Sequence, residues 1–465
     1  MSVFGLKFEV INSPGLAHNS YFVVDKDVAF VVDPRRDANI YLELAKEACA
    51  DIIYIFETHR NEDYVTGSLE LQNLMGAEIA HSQQTPFKYG EHKVKDGDTF
   101  NISRFRVETL YTPGHTDDSI CYAVTDTASS NRPFMVFTGD TLFVGDVGRT
   151  DLPGLDIWEK MTEKQYHSIH EKLLPLGDDV LMFPAHGAGS ICGHKLSDRD
   201  FSTIGYERHH NEILQLDKDA FIKYMLSIQL RRPPYFRQME DYNLNGPPLL
   251  QEASVPVALT VPEFEKAMEK PNTIVVDTRN PDAYASSHLP GSLSIWLRGL
   301  SFYPGWALTY DQEILLVLER PEDIETAKPF LWRLGYDNIV GYLCPGIDAW
   351  RNHGKPTDQI GAITAAQLKE KLEKNELLLL DVRSIHECDA GYVENSKYIY
   401  VGEITNRLDE IPKEKPIVIT CGSGVRGSLA ASILRRNGFL DVSNVLGGLN
   451  AWHALGYPLS QECPV

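Results

Sequence analysis

The sequence predicts an α/β protein of several domains, and three observations carry that prediction. Short apolar runs ending in loops rich in Gly, Pro, Asp or His alternate with amphipathic helical patterns. A chain of 465 residues has room for about three domains at roughly 150 residues each. The C-terminal half repeats itself at the spacing of one small domain. There, residues 273–279 (Thr-Ile-Val-Val-Asp-Thr-Arg) recur as residues 377–383 (Leu-Leu-Leu-Leu-Asp-Val-Arg), and Gly346-Ile-Asp-Ala-Trp350 recurs as Gly448-Leu-Asn-Ala-Trp452.

Element by element, residues 21–24, 29–32 and 52–56 are apolar enough for buried strands, and residues 65–75 read as a helix stopped by Gly76. Further strands are expected over 105–110, 120–124, 134–138 and 180–183. Proline and glycine cluster at 231–234 and 243–248, where periodicity is lost, so the linker is expected there. Each repeat then offers a strand ending in Asp277 or Asp381, a central strand (313–317; 417–420), a helix and the closing Gly-x-x-Ala-Trp element. That order suits a doubly wound parallel sheet. The expected domains are residues 1–245, 255–357 and 360–465.

Lysine and arginine number 44 against 65 aspartates and glutamates, a formal net charge of −21 that repels nucleic acid and anionic membranes. With 43% apolar and 23% charged residues the composition is that of a globular protein. Lys7 and Glu9 interrupt any apolar signal core, so a cytoplasmic location is expected. The seven cysteines (Cys49, Cys121, Cys192, Cys344, Cys388, Cys421, Cys463) show no paired spacing, and reduced thiols are expected.

Four polar residues stand where strands end. His59 lies in Thr58-His-Arg-Asn-Glu-Asp-Tyr64, His115 in Pro113-Gly-His-Thr116, Asp140 in Thr138-Gly-Asp-Thr141 and His186 in Pro184-Ala-His-Gly187. His81, His92, His167, His170, His194, His209 and His210 lack that placement and read as ordinary exposed or hydrogen-bonded residues. Over residues 1–245 the ordered set resembles the metallo-β-lactamase superfamily, whose usual motif is Thr-His-x-His-x-Asp-His. Asn61 and Tyr64 stand where that motif has its second and third histidines, which removes the donors a dinuclear zinc hydrolase needs. His59, His115 and Asp140 remain, two imidazoles and a carboxylate that suit a mononuclear non-haem Fe(II), one per chain. Within the superfamily this pattern, with Asp146-Val-Gly-Arg-Thr-Asp151, resembles the persulfide dioxygenases, which oxidise the terminal sulfur of a low-molecular-weight persulfide to sulfite. The resemblance implies Asp63 and His186 as groups orienting ligands or water, and Arg149 as a bidentate anchor for an anionic thiol carrier. Cys192 reads as a buried, inert thiol.

In the second repeat, Cys421-Gly-Ser-Gly-Val-Arg-Gly-Ser428 follows an apolar strand and precedes a helix expected over 429–437. Backbone N–H groups of Gly422, Ser423, Gly424 and Val425 can turn toward an anionic sulfur on Cys421, and Arg426 adds positive charge. The segment resembles the active loop of rhodanese sulfurtransferases. Only four residues separate Cys421 from Arg426, one fewer than in cysteine-dependent phosphatases, so sulfane sulfur fits better than phosphate. The first repeat places Leu318-Glu-Arg-Pro-Glu-Asp323 at the loop and should be catalytically silent, with Cys344 as packing.

The resemblance therefore implies a metallo-β-lactamase αββα sandwich followed by two rhodanese-like doubly wound α/β domains, the first inactive. It implies a thiol persulfide, dioxygen and sulfite or thiosulfate as small-molecule partners, sulfide detoxification as the role, and a homo-oligomer. A glyoxalase II-like zinc thioester hydrolase fused to a sulfurtransferase, which would need a second metal, and a non-oxidising sulfur relay are the alternatives.

Overall fold

The computed structural model describes residues 2–3, 6–194, 196–228, 231–461 and 463. The chain divides into two compact units, Met1–Glu252 with Trp332–Gly335, and Ala253–Leu331 with Tyr336–Val465. Among the described residues no helix is long and apolar enough to cross a membrane.

The first unit is built on two sheets of seven and six strands. Strands His18–Asp25 and Val28–Val32 pair antiparallel, and Asp51–Phe56 joins Val28–Val32 in parallel. In the other sheet Ile120–Asp126 pairs antiparallel with both Phe105–Tyr111 and Met135–Gly139, and Leu181–Pro184 runs parallel to the latter. Because side chains alternate along a strand, each sheet has an inner and an outer face. The inner faces share a core of Phe8, Tyr21, Phe30, Phe56, Tyr122, Phe137 and Phe183. Helix Asn39–Ala48 buries Tyr41 and Ala45 against the outer face of the first sheet, and Phe221 and Met225 of helix Lys218–Ser227 pack on the second. This is the expected αββα sandwich.

The expected strands are present with ends shifted by a few residues. The helix expected from residue 65 begins at Ser68, since the N–H groups of Val65, Thr66 and Gly67 are drawn to Arg333 O, Asn243 Oδ1 and Pro34 O, and it ends at Gly76 in the left-handed conformation. The expected linker at 243–248 is corrected. Asn243 belongs to helix Phe236–Asn245, and its buried amide donates to the carbonyls of Asn61 (2.7 Å) and Tyr64 (2.8 Å) and accepts from Thr66 N–H (2.9 Å). The prolines and glycine flank this clamp, and the unit continues to Glu252.

In the second unit two parallel five-stranded sheets share one strand order. Val257–Leu259, Ile339–Leu343, Glu313–Val317, Thr273–Asp277 and Leu293–Ser294 form one. Gly361–Ile363, Val442–Val445, Ile417–Thr420, Leu378–Asp381 and Lys397–Tyr398 form the other. The repeated residues do the same work in each copy. Asp277 takes Arg279, and Asp381 takes Arg383, in a buried fork. The Trp350 and Trp452 indoles donate to the carbonyls of Pro356 and Pro458. The first copy packs on helix Val425–Arg436 of the second, where Ser294 meets Ser428 at 2.8 Å and Ser432 at 3.0 Å.

The expectation of seven reduced thiols is also corrected. Cys388 and Cys463 form a disulfide across 75 residues of sequence, with Cα atoms 5.3 Å apart. Tyr392 and Ser460 exchange backbone hydrogen bonds, which bring the C-terminal segment beside helix Ile385–Asp389. Linear spacing carries no trace of that neighbourhood.

Candidate metal centre and cysteine loop

Strand ends deliver the three expected ligands to one buried point. His59 follows strand Asp51–Phe56, His115 follows Phe105–Tyr111 and Asp140 follows Met135–Gly139. One ligand atom from each lies within 4.8 Å of the others. His115 Nδ1 donates to the Arg149 carbonyl (2.8 Å), which leaves its Nε2 lone pair facing Asp140 Oδ2 at 3.5 Å. Thr58 Oγ1 donates to Asp33 Oδ2 (2.8 Å), so the 2.9 Å contact to His59 Nδ1 uses the imidazole proton and turns His59 Nε2 toward Asp140 Oδ2 at 3.9 Å. Both rings are thus set in the tautomer a metal requires.

Orphaned atoms supply the test of fit. His115 Nε2 and Asp140 Oδ2 are buried without a hydrogen-bond partner. Unpartnered buried polar atoms are costly, and a cation held by bonds of about 2.1 Å would satisfy both. Burial alone would raise Asp140, yet the imidazoles of His186, His59 and His115 hold it well below the usual carboxylate range. Burial pushes His59 down to about 3, so its nitrogen is free to bind. Burial would lower His115, but Glu62 and Asp140 outweigh it and raise it to about 8, so a metal binding at Nε2 displaces a proton from it.

His186 Nδ1 contacts Asp140 Oδ1 at 2.7 Å and its Nε2 lies 3.0 Å from Asp63 Oδ2. Despite burial the two carboxylates raise His186 well above the ordinary histidine range. An imidazolium here orients Asp140 and leaves Oδ2 for the metal. Asp63, His186 and Cys192 form a second buried group beside the first. Burial pushes the Cys192 thiol well up, which keeps it protonated. Arg149 is buried, with Nε and Nη2 on the two Asp151 oxygens at 2.7 Å each and Nη1 on the carbonyls of Ile191 and Arg231.

Sequence reasoning passed over several supports of this centre. Gln165, on helix Trp158–His167, accepts the His115 backbone N–H (2.9 Å) and donates to the Thr141 carbonyl (2.6 Å), tying two ligand loops with one amide. Gly114 permits this, since a Cβ there would lie 2.1 Å from Gln165 Oε1. Glu62 sits inside the quoted motif, yet its role needs three dimensions. Its Oε2 is 3.6 Å from His115 Nε2, and neither carboxylate oxygen has a hydrogen bond.

Cys421 stands buried at the end of strand Ile417–Thr420, and its Sγ accepts the Gly424 N–H at 3.1 Å. Gly424 is left-handed (φ 96°), and helix Val425–Arg436 begins at the next residue, earlier than expected, because this turn lets the helix start inside the loop. Leu449 N–H donates to the Cys421 carbonyl and Asn450 N–H to that of Gly422, so the loop backbone is held from behind. Arg426 directs Nη1 and Nη2 to the two Glu387 oxygens at 2.6 Å each. Its charge is shared with that carboxylate and holds Glu387 down at about 2 against the effect of burial. In the first copy Leu318 is buried at the position that aligns with Cys421.

Comparison with known proteins agrees with this geometry. The metallo-β-lactamase superfamily model matches residues 13–186, and the rhodanese-like domain model matches residues 260–353 and 364–455. The mitochondrial persulfide dioxygenase ETHE1 of Bos taurus is 32% identical over 222 residues, 46% of this chain and 78% of that protein. Its Homo sapiens counterpart is 31% identical over the same shares. A crystal structure of a metallo-β-lactamase from Staphylococcus aureus covers 73% of this chain and 99% of its own, with 30% identity and a TM-score of 0.66. With a buried His59–His115–Asp140 centre in its αββα unit and a cysteine loop in the second of two repeats, the chain belongs to the persulfide dioxygenase/rhodanese fusion family of the metallo-β-lactamase superfamily.

Proposed function

We propose that the protein is a non-haem Fe(II) persulfide dioxygenase, residues 1–245, coupled to sulfur transfer through Cys421 of residues 360–465. The observation that carries this reading is the convergence of His59 Nε2, His115 Nε2 and Asp140 Oδ2 in a motif where Asn61 and Tyr64 replace the other imidazoles. Bound there, one Fe(II) would supply redox chemistry and open positions for a persulfide and dioxygen. The balance is a persulfide anion, dioxygen and water giving thiol, sulfite and a proton.

The chain's own groups prepare that reaction. Thr58 and the Arg149 carbonyl fix the two imidazoles, and His186 turns Asp140. Arg149 is the anchor for an anionic carrier, whose carboxylate would take the place of Asp151 on the guanidinium fork. At the second site the outer sulfur of a Cys421 persulfide passes to sulfite, which leaves a Cys421 thiolate and thiosulfate; the reverse exchange loads Cys421. Gly424 N–H steadies the sulfur in either direction.

Oxygen uptake by anaerobically iron-loaded protein given glutathione persulfide tests the reading. His115→Ala should abolish uptake, while Cys421→Ser should retain it and change the ratio of sulfite to thiosulfate. No uptake by the parent would overturn the dioxygenase assignment, and unchanged products in Cys421→Ser would overturn the coupling.

A further inference from the structure

The Cys388–Cys463 disulfide lies one residue from a group that holds the cysteine loop. Cys388 is fully buried in helix Ile385–Asp389. Its neighbour Glu387 carries the two 2.6 Å bonds from Arg426. Glu387 Oε2 also accepts from Ser384 Oγ at 2.9 Å, and Arg383 grips the Glu387 carbonyl at 2.7 Å and that of Gly391 at 2.8 Å. From the disulfide to the loop the path is therefore Cys388, Glu387 and Arg426, two residues beyond the Gly424 that holds the Cys421 sulfur. On the other side, the segment ending in Cys463 is held by the Tyr392–Ser460 backbone pair at 3.0 and 2.8 Å.

The first copy is an internal control. It keeps the buried aspartate–arginine fork and the corresponding backbone pair, His288 with Asp358. At the same distance from the strand-end aspartate, however, it has Ala283 in place of Glu387 and Tyr284 in place of Cys388. The Tyr284 ring stacks on His288 at 3.9 Å and its hydroxyl donates to the Ser292 carbonyl. Packing thus fills the position without a cross-link. Between the two copies the disulfide occurs only in the one that carries Cys421; there Arg426 reaches a carboxylate on a separate helix, Glu387, whereas Arg320 in the first copy pairs with Asp323 of its own loop.

We propose that Cys388 and Cys463 are a thiol–disulfide modification site that sets the activity of the Cys421 loop. Closed, the bond pins the C-terminal segment to helix Ile385–Asp389 and keeps Glu387 on Arg426. A low-molecular-weight thiolate opens it by attacking Cys463 Sγ. The sulfur–sulfur bond breaks, Cys388 leaves as a thiolate and takes up a proton, and a mixed disulfide remains on Cys463. A second thiolate displaces Cys463 and departs as the small disulfide, so two thiols are oxidised and two cysteines reduced. The corresponding small disulfide closes the bond by the reverse steps. The inference rests on the sulfur transfer proposed for Cys421, and the thiol class, a product of the proposed oxidation, rests on the dioxygenase reading.

The test uses the full-length chain with thiosulfate as sulfur donor and cyanide as acceptor, which needs neither iron nor persulfide and so reads independently of the dioxygenase assignment. Protein equilibrated with oxidised glutathione should show the 388–463 cross-link by mass spectrometry of alkylated peptides. Equilibrated with reduced glutathione it should lose the cross-link, and kcat/KM should fall by about tenfold, the size of one lost charge-assisted hydrogen bond. Cys463→Ser should stay at the lower level in both buffers, and Glu387→Gln should be low and equally insensitive. Cys388→Ser, which changes a buried position, is read beside its circular dichroism spectrum, and Cys463→Ser carries the test if it misfolds. Failure to find the cross-link in oxidised protein would overturn the proposal. So would a Cys463→Ser variant as active as the oxidised parent, or one whose activity still follows the glutathione ratio.

Discussion

Gln165 Oε1 accepts the backbone N–H of His115 at 2.9 Å, and the same side chain's amide donates to Thr141, the residue after Asp140. A glutamine that coordinates nothing thereby fixes the spacing of two metal ligands from a helix that carries neither. Gln165→Ala should weaken metal binding by about 10- to 100-fold, the usual range for groups that orient ligands from behind. Competition between the protein and a coloured chelator for Co(II) measures it. Parent-like affinity would show that the loops hold their spacing without the amide.

Glu62 makes a prediction with opposite signs in two states. Glu62 is buried without a hydrogen bond, and burial raises its carboxyl against the pull of His115, so it costs the metal-free fold stability and gains a favourable neighbour when a cation is bound. Glu62→Gln should therefore raise the melting temperature of the metal-free first unit, by about 2–4 °C for each kcal/mol recovered, and reduce the further rise on adding metal. Calorimetry of both forms gives both numbers. A variant that melts lower without metal contradicts the account.

These two residues mark where sequence reading stops. His59, His115 and Asp140 stand at strand ends beside glycines, and Cys421 sits between an apolar strand and a helix, so local pattern alone places them at the mouths of sheets. The two repeats are legible for the same reason, because strand, aspartate and Gly-x-x-Ala-Trp recur in order. Gln165 lies on a polar helix with no period to betray an inward amide, and its partners are 50 and 24 residues away. Asn243 was hidden by its company, since Pro and Gly beside it read as a linker. Cys388 and Cys463 become neighbours where the Tyr392–Ser460 pair folds the C-terminal segment back. Side-chain bonds to distant backbone follow from topology, which a linear pattern does not encode.

Asn243 offers a check on that correction. Its amide satisfies Asn61 and Tyr64 carbonyls and the Thr66 N–H, all buried around the metal loop. Asn243→Ala leaves three backbone groups unpaired, at about 1 kcal/mol or more each. Hydrogen exchange in peptides covering residues 58–67 should quicken by at least about tenfold, with exchange in the repeats unchanged. Equal exchange in the two proteins would return residues 243–248 to the status of a linker.

The Arg426–Glu387 pair predicts a pH dependence. Glu387 ionises at about 2 when folded, against an ordinary value of 4.5, because Arg426 overcomes the upward push of burial. A folded value below the unfolded one means that the unfolded chain binds more protons between those pH values. The pair's contribution is then complete above about pH 4.5 and drains away as pH falls toward about 2. Glu387 is only partly buried, so solvent screening makes the effect smaller than the shift alone implies. The parent should melt above Glu387→Gln at pH 6, and the gap should narrow steadily between pH 5 and pH 3. A gap that holds constant over that range would mean that Glu387 supports the helix through its caps on Ser384 and owes nothing to the charge on Arg426.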